Sequence, residues 1–135
     1  GVDGCAANNG MSLLEEIRTG YLMHRLNSPD NGVKGYDMLK LATMGGARVL
    51  GREQEIGSVE VGKCADIILL SVNRLDLVGA FYDPMSILAT VGIKGYVDYT
   101  IINGEITVRD GKLVNLDEEN LIAEANQEVR EFLQI

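Results

Sequence analysis

The stretch LATMGGARVLGREQEIGSVEVGKCADIILL, residues 41–70, contains a change of pattern that decides the fold class. Upstream of it, apolar residues recur at the spacing of amphipathic helices. Within it, the turn-forming residues 57–63 lead into a nearly continuous apolar run that starts at residue 65 and continues past the stretch to residue 72, which is typical of a strand covered on both faces. The sequence therefore predicts helices first and strands second, with a junction near residues 51–57.

The helical part contains two predicted helices, over residues 11–26 and 36–43. The first has a capping-box pattern, in which Ser12 and Glu15 each bind a free backbone amide at the start of the helix. The second is expected to be interrupted by Gly45-Gly46, since glycine is a poor helix former.

The strand part carries a strong hairpin signal at Asn103-Gly104, because both residues of a type I′ turn need positive φ. Asp110-Gly111 predicts a second turn, and Asp83-Pro84 the start of a short helix reaching Leu88. Asp117 is expected to cap a final helix to about Leu133. The apolar residues of that helix form one stripe: Leu121, Ile122, Ala125, Val129, Phe132 and Leu133.

Composition narrows the class of protein. The 135 residues include 12 Lys+Arg and 20 Asp+Glu, a net charge of −8 without a basic stripe, which argues against nucleic-acid binding. The longest apolar run, Ile67–Leu70, is far shorter than the roughly 20 residues of a membrane helix. Cys5 and Cys64 make no disulfide framework, so free thiols and a reducing, cytoplasmic location are expected.

Few residues offer catalytic chemistry on their own. His24 is the single histidine, so the chain cannot supply the roughly three, typically histidine-rich, ligands of a hydrolytic zinc site, and a surface or boundary position is expected for it. Cys64, just before the apolar run, is expected to be a small core residue. No phosphate-binding glycine motif is present.

Asp3 is the exception among these residues. It stands between Gly1-Val2 and Gly4, where a strand would end and the chain would turn. Its carboxylate could cap a turn, or it could be a metal ligand or general base at the C-terminal mouth of a barrel strand. The residue types alone leave both interpretations open.

Three stretches together resemble the C-terminal part of the amidohydrolase superfamily, in its deaminase branch. They are GVDGCAANNGMSLLEEIR (residues 1–18), the residue 41–70 stretch quoted above, and VDYTIINGEITVRDGKLV (residues 97–114). The resemblance covers nearly the whole chain and keeps the order of the family's segments. It is closest to 8-oxoguanine deaminases and hydroxyatrazine-type aminohydrolases.

The resemblance implies an α/β fold: the end of a metal-dependent (β/α)8 barrel, with strand 8 and the last helices, followed by the C-terminal strands of a small β-sandwich and a terminal helix. Residues 1–51 would be the barrel part, with residues 1–3 ending its eighth strand. Residues 52–135 would be the C-terminal part of the composite sandwich with its end helix.

The resemblance also implies an activity, in which Asp3 is both catalytic and a metal ligand. The metal would be zinc or iron, and the reaction would replace a ring amino group by water on a purine- or triazine-like heterocycle. The family's His-x-His motif and two later histidines do not occur in this sequence, and Ala7 stands where a serine is usual. The chain is therefore expected to be an inert fragment that binds no metal alone, and that associates with a missing N-terminal part or with itself.

Two other interpretations remain. The parent enzyme could be an adenosine-homologue deaminase, since that group shares much of the first stretch. The chain could also be a non-catalytic, β-rich interaction module descended from such an enzyme. Neither nucleic acid nor a membrane is expected as a partner in any of these cases.

Overall fold

The computed structural model describes residues 1–4, 7, 10–28 and 32–135. Helices come first, and an antiparallel sheet and a final helix follow, as predicted. The elements are α1 (Leu13–Asn27), α2 (Gly35–Lys40), a π-helical turn (Leu41–Gly45), α3 (Gly46–Val49), β1 (Ile67–Leu69), 3-10 turns at Leu75–Leu77 and Ala80–Tyr82, α4 (Ile87–Thr90), β2 (Tyr99–Ile102), β3 (Glu105–Arg109), β4 (Lys112–Leu113) and α5 (Glu118–Leu133).

Helix α1 begins where the capping pattern places it. The Ser12 hydroxyl accepts a hydrogen bond from the Glu15 amide at 3.4 Å, which satisfies one of the free donors of the first turn. Ile17 is the buried residue of this helix, and α1 packs on α2 and α4.

The prediction that Gly45-Gly46 interrupts the second helix is wrong. Both glycines keep right-handed helical φ and ψ, and the chain stays helical from α2 through the π turn to α3. Gly45 is the last residue of the π turn and Gly46 the first residue of α3, so the helix continues through both glycines. The left-handed residue after the helix is Gly51, at φ 67°.

The sheet is a four-stranded antiparallel meander in the order β1-β2-β3-β4. The predicted hairpin is confirmed: Asn103 and Gly104 have φ values of 49° and 86° between β2 and β3. Asp110 and Gly111 form the second left-handed turn, at 51° and 75°. Strand β1 lies at one edge of the sheet and β4 at the other.

Two predicted elements have different bounds. The strand expected at 65–72 covers only Ile67–Leu69, because carboxylates bind the backbone beyond the ladder: Asp66 accepts from the Asn103 amide, and Asp98 from the Ser71 amide, both at 2.7 Å. The helix expected from Asp83 begins at Ile87 instead, since the chain first makes the 3-10 turn at Ala80–Tyr82 and a second turn after it.

Lys63 holds together the loop that joins the two parts. Its Nζ donates to the Glu53 carbonyl and to the Ser58 hydroxyl, each at 2.7 Å, and lies 3.3 Å from a Glu60 oxygen. The Lys63 side chain is only 10% exposed. A half-buried ammonium with three oxygen partners fixes the loop conformation, since losing the partners would leave a poorly solvated charge unpaired.

The hydrophobic core is small. It centres on Leu77, Ala80 and Ile93, and the residues packed around it come from both parts of the chain: Leu14, Leu70, Val72, Ile87 and Leu88. The chain exposes 10293 Å², whereas a monomeric globular protein of 14.7 kDa exposes roughly 6,900 Å². Much apolar surface is therefore left uncovered. Among the described helices, none is long and apolar enough to span a membrane.

Helix α5 is the clearest case of apolar surface left uncovered. Asp117 caps it, as predicted, by accepting from the Asn120 amide at 3.1 Å. Its apolar stripe, however, is open to solvent along its length, with Phe132 86% exposed. Only the first turns lie near the sheet, where the Glu118 carboxylate accepts from the Leu113 amide at 2.7 Å.

Candidate metal and active site

Asp3 is exposed and lies at the start of the described chain. Residues 1–4 form no strand, so the prediction of a strand ending at Asp3 is not seen in this chain. A strand needs a neighbour to supply its ladder, and the described sheet begins at β1. Directly after Asp3, the Gly4 carbonyl accepts a hydrogen bond from the Ala7 amide at 2.9 Å.

The backbone of Asp3 has a left-handed φ of 62°. This conformation is unfavourable for most residues with a side chain, and aspartate tolerates it because its short side chain can bind the local backbone. Here Oδ1 of Asp3 accepts a hydrogen bond from the Gly4 amide at 2.8 Å. Strained positions of this kind concentrate at functional sites, so the geometry agrees with either of the two interpretations of Asp3.

The other reactive side chains lie apart from Asp3. His24 is exposed near the end of α1, as predicted, and Cys64 is a half-buried free thiol rather than a fully buried core residue. Cys5 and its neighbours Ala6, Asn8 and Asn9 lie outside the described residues. Within the described ranges no three His, Cys, Asp or Glu side chains come together as a metal cluster.

A zinc ion therefore finds one fitting donor here and no complete site. The carboxylate of Asp3 is exposed, and zinc accepts aspartate oxygen as a ligand. The remaining ligands of a catalytic zinc site, about three protein groups in all, are not assembled by the described residues.

No ligand pocket of ordinary size adjoins Asp3 in the described chain. A cleft of about 110 Å³ lies beside Gly1, between α1 and α2, and its lining includes Ile17 and Met38. Pockets that hold small molecules usually measure about 300–1,000 Å³. A larger cavity of about 470 Å³ lies between the sheet and α5, and its lining is mainly apolar. It contains no grouping of catalytic side chains.

One group at the site gives no signal in the sequence. The Gly4 amide binds the Asp3 carboxylate, but a backbone donor requires only that the residue is not proline. The glycine suggests a close turn, and it cannot indicate which atom the amide binds.

The model of the amidohydrolase family matches residues 1–107, which include Asp3. Hydroxydechloroatrazine ethylaminohydrolase from Pseudomonas sp. strain ADP is 40% identical to the chain, over 93% of this chain and 27% of that protein. 5′-Deoxyadenosine deaminase from Methanobrevibacter smithii is 39% identical, over 98% of this chain and 31% of that protein.

Solved structures also match the chain over part of their length. The crystal structure of an adenosine deaminase from Xanthomonas campestris with bound zinc matches with a TM-score of 0.86 at 30% identity. The match covers 100% of this chain and 31% of that one. The chain thus spans about three tenths of the length of the proteins it matches.

Proposed function

The chain belongs to the amidohydrolase family, and from that premise we propose that it forms part of a longer metal-dependent deaminase. The longer enzyme, meaning the polypeptide that contains this chain, replaces a ring amino group by water on a purine- or triazine-like heterocycle. The observation that carries the proposal is the match of the chain to the family over residues 1–107.

The proposal of a longer enzyme has support from two directions. The relatives extend well beyond the matched segment, since the chain covers 27% and 31% of the first two. The chain also exposes about half again the surface expected of a monomer of its mass. Further polypeptide packing on these faces accounts for both facts.

Within the longer enzyme, residues 1–51 provide the end of a (β/α)8 barrel, and residues 52–135 provide the C-terminal part of a composite β-sandwich with its end helix. The change from helix to sheet falls near this boundary, between α3 and β1. The open edge of β1 and the exposed side chains of Ile68 and Leu69 agree with an additional strand pairing there.

Asp3 is the residue of this chain that serves the reaction. It provides one oxygen ligand to a zinc or iron ion, and the other ligands come from outside the described residues. A bound zinc lowers the pKa of its water ligand towards neutrality. A carboxylate beside that position can accept a proton at one oxygen and pass it to the departing amine.

The ring substrate is proposed at the level of its class. The names of the relatives point to triazine and to adenosine-like rings, and resemblance to 8-oxoguanine deaminases adds oxidised guanine. Adenosine-homologue deamination is the second candidate, because 5′-deoxyadenosine deaminase matches nearly as well as the triazine enzyme. A cytoplasmic location remains part of the proposal, in agreement with the free Cys64 thiol.

A substrate panel tests the proposed activity. The longer enzyme, loaded with zinc, is incubated with 8-oxoguanine, hydroxyatrazine and 5′-deoxyadenosine, and ammonia or ethylamine release is measured, with chelator-treated enzyme as the control. Turnover of at least one ring that chelation abolishes is expected. No release from any of these rings by zinc-loaded enzyme contradicts the proposal.

The mass of the polypeptide that contains this chain distinguishes the proposed enzyme from the alternative, a non-catalytic interaction module. Immunoblotting of cells with antibody raised against this chain measures the mass of the polypeptide that carries it. A band several times heavier than 14.7 kDa is expected. A band at the mass of this chain alone, with none heavier, favours the module.

A further inference from the structure

The turn between β2 and β3 is also a dipeptide with chemistry of its own. Asn-Gly occurs in the sequence at residues 9–10, 31–32 and 103–104, and of these only Asn103-Gly104 lies wholly within the described residues. A glycine after asparagine favours attack of the backbone on the asparagine side chain, because no glycine side chain hinders the approach. Asn103 and Gly104 are both exposed, so water reaches them.

The reaction is a deamidation, and water is the only other reactant. The Gly104 nitrogen, after giving up its proton to solvent, bonds to Cγ of Asn103. The Cγ–Nδ2 bond then breaks, Nδ2 takes a proton from water and leaves as ammonia, and a succinimide ring remains. Water opens that ring at one of its carbonyl groups, which leaves aspartate or isoaspartate at position 103.

The folded chain holds the attacking nitrogen through its proton. The Gly104 amide donates a hydrogen bond to the Ala65 carbonyl at 3.1 Å. One residue earlier, the Asn103 amide donates to Oδ1 of Asp66 at 2.7 Å. These two bonds, which we call the turn clamp, lie on either side of the φ and ψ bonds of Asn103. They therefore oppose the backbone rotation that brings the Gly104 nitrogen to Cγ.

The turn clamp belongs to the paired side of β1. It continues the antiparallel register of β1 and β2, in which Ile67 lies opposite Ile101. Further polypeptide on the open edge of β1 therefore leaves both bonds in place.

We propose that Asn103 is a deamidation site of this protein and that the turn clamp sets its rate, because the reaction occurs only in molecules whose clamp is open. The inference does not depend on the proposed activity. It identifies a site of spontaneous covalent modification in the sheet, with a rate that the Ala65 carbonyl and the Asp66 carboxylate control.

Deamidation weakens the hairpin in which it occurs. Isoaspartate adds a methylene to the backbone, and the length of a two-residue loop fixes the register of its strands. Either product also places a new carboxylate on the residue whose amide Asp66 binds, and like charges repel. The reaction therefore limits the lifetime of the sheet.

The first test compares the folded and the unfolded protein. The longer enzyme is incubated at mildly alkaline pH in buffer and in urea, and peptide mapping by mass spectrometry follows the formation of acid at position 103. Measurable product from the folded protein is expected, formed more slowly than in urea. Equal rates in the two states, or no product from the folded protein over weeks, overturn the inference.

A pair of variants then isolates the clamp. Asp66→Ala removes the acceptor of the Asn103 amide, and the loss of one such hydrogen bond is expected to raise the rate at Asn103 about 3–10-fold. Glu105→Ala is the matched control, since it removes an exposed carboxylate beside the turn that holds neither amide of the clamp. A folded Asp66→Ala protein with the wild-type rate overturns the inference, and so does equal acceleration in both variants.

Hydrogen exchange provides a check that needs no variant and holds even if Asp66→Ala fails to fold. The Gly104 amide exchanges when its bond to Ala65 opens, so folding should slow its exchange and the deamidation of Asn103 by similar factors. Similar factors support the inference. A protected Gly104 amide beside an Asn103 that deamidates as fast as in urea overturns it.

Discussion

Gly57 and Gly62 have almost the same left-handed φ, at 95° and 94°, but only Gly57 is packed against neighbours. A Cβ at Gly57 would lie 2.8 Å from the Ala47 Cβ and 3.2 Å from the Met44 Cα, whereas a Cβ at Gly62 meets nothing within 4 Å. Substitution at these two glycines therefore strains the backbone to a similar degree, and only the packing around the added Cβ differs.

Gly57→Ala is therefore expected to destabilise the protein more than Gly62→Ala. Both variants carry the left-handed strain of roughly 1–2 kcal/mol, and only Gly57→Ala adds overpacking of about 1–3 kcal/mol. Urea unfolding midpoints of the two variants measure the difference. Equal midpoints would show that the loop does not pack on α3 as described.

Whether the role of a single residue can be predicted from the sequence depends on how close its partners are along the chain. The turn at Asn103-Gly104 and the cap residues Ser12 and Asp117 are confirmed, because turns and caps depend on a few neighbouring atoms. Lys63 carries no such signal, because its partners, the Glu53 carbonyl and the Ser58 hydroxyl, become neighbours only when the loop folds. The role of Asp3 stays a prediction.

The hairpin of β2 and β3 gives a test at the scale of an element. Gly104 has φ 86°, and a Cβ added there would meet nothing within 4 Å, so a substitution strains the backbone and nothing else. Gly104→Val is expected to cost roughly 1–2 kcal/mol or more, because a β-branched residue resists positive φ.

Lys112→Ala in the edge strand β4 is the control, since surface substitutions away from special features usually change stability by less than about 0.5 kcal/mol. Thermal unfolding of both variants is measured under the same conditions. Equal melting temperatures of the two variants would contradict the need for a positive φ at Gly104.

Other elements show why pattern alone misplaces boundaries. Helix propensity predicts a break at Gly45-Gly46. The chain stays helical there because Ala47 is buried and the π turn continues the helix. The apolar residues at 65–72 predict a long strand, yet the length of a strand depends on its ladder partners. Only β2 pairs with it among the described strands, so three residues are in strand conformation.

At the scale of the whole molecule, the excess surface predicts association of the chain by itself. Apolar side chains left uncovered on α5 and elsewhere form patches of the kind that drive self-association. We expect oligomers of the isolated chain by sedimentation at tens of micromolar, and a compact stable monomer under those conditions would contradict the prediction.

A pair of charge substitutions tests the contribution of α5. Val129 lies in the apolar stripe, and Gln127 lies on the opposite side of the helix. Val129→Glu should weaken association, while Gln127→Glu, which adds the same charge elsewhere, should leave it nearly unchanged. If both variants weaken association equally, the added negative charge and not the apolar stripe controls association.

The order of helices and strands and the family could be predicted from the sequence, because motif spacing and periodicity are local. The substrate pocket could not, since pocket residues converge from distant parts of a chain and the relatives are about three times as long as this one. The same limit applies to the metal site, of which Asp3 is the one proposed member present among the described residues.

The most direct measurement is the zinc content and turnover of Asp3→Asn in the longer enzyme. The amide keeps the shape of the side chain and loses its negative charge, so weaker zinc binding is expected, with turnover lowered at least about 10²–10⁴-fold as for loss of a general base. Unfolding is compared with wild type to show that the fold is intact. A folded Asp3→Asn enzyme with full zinc and near wild-type turnover would contradict the assignment of Asp3.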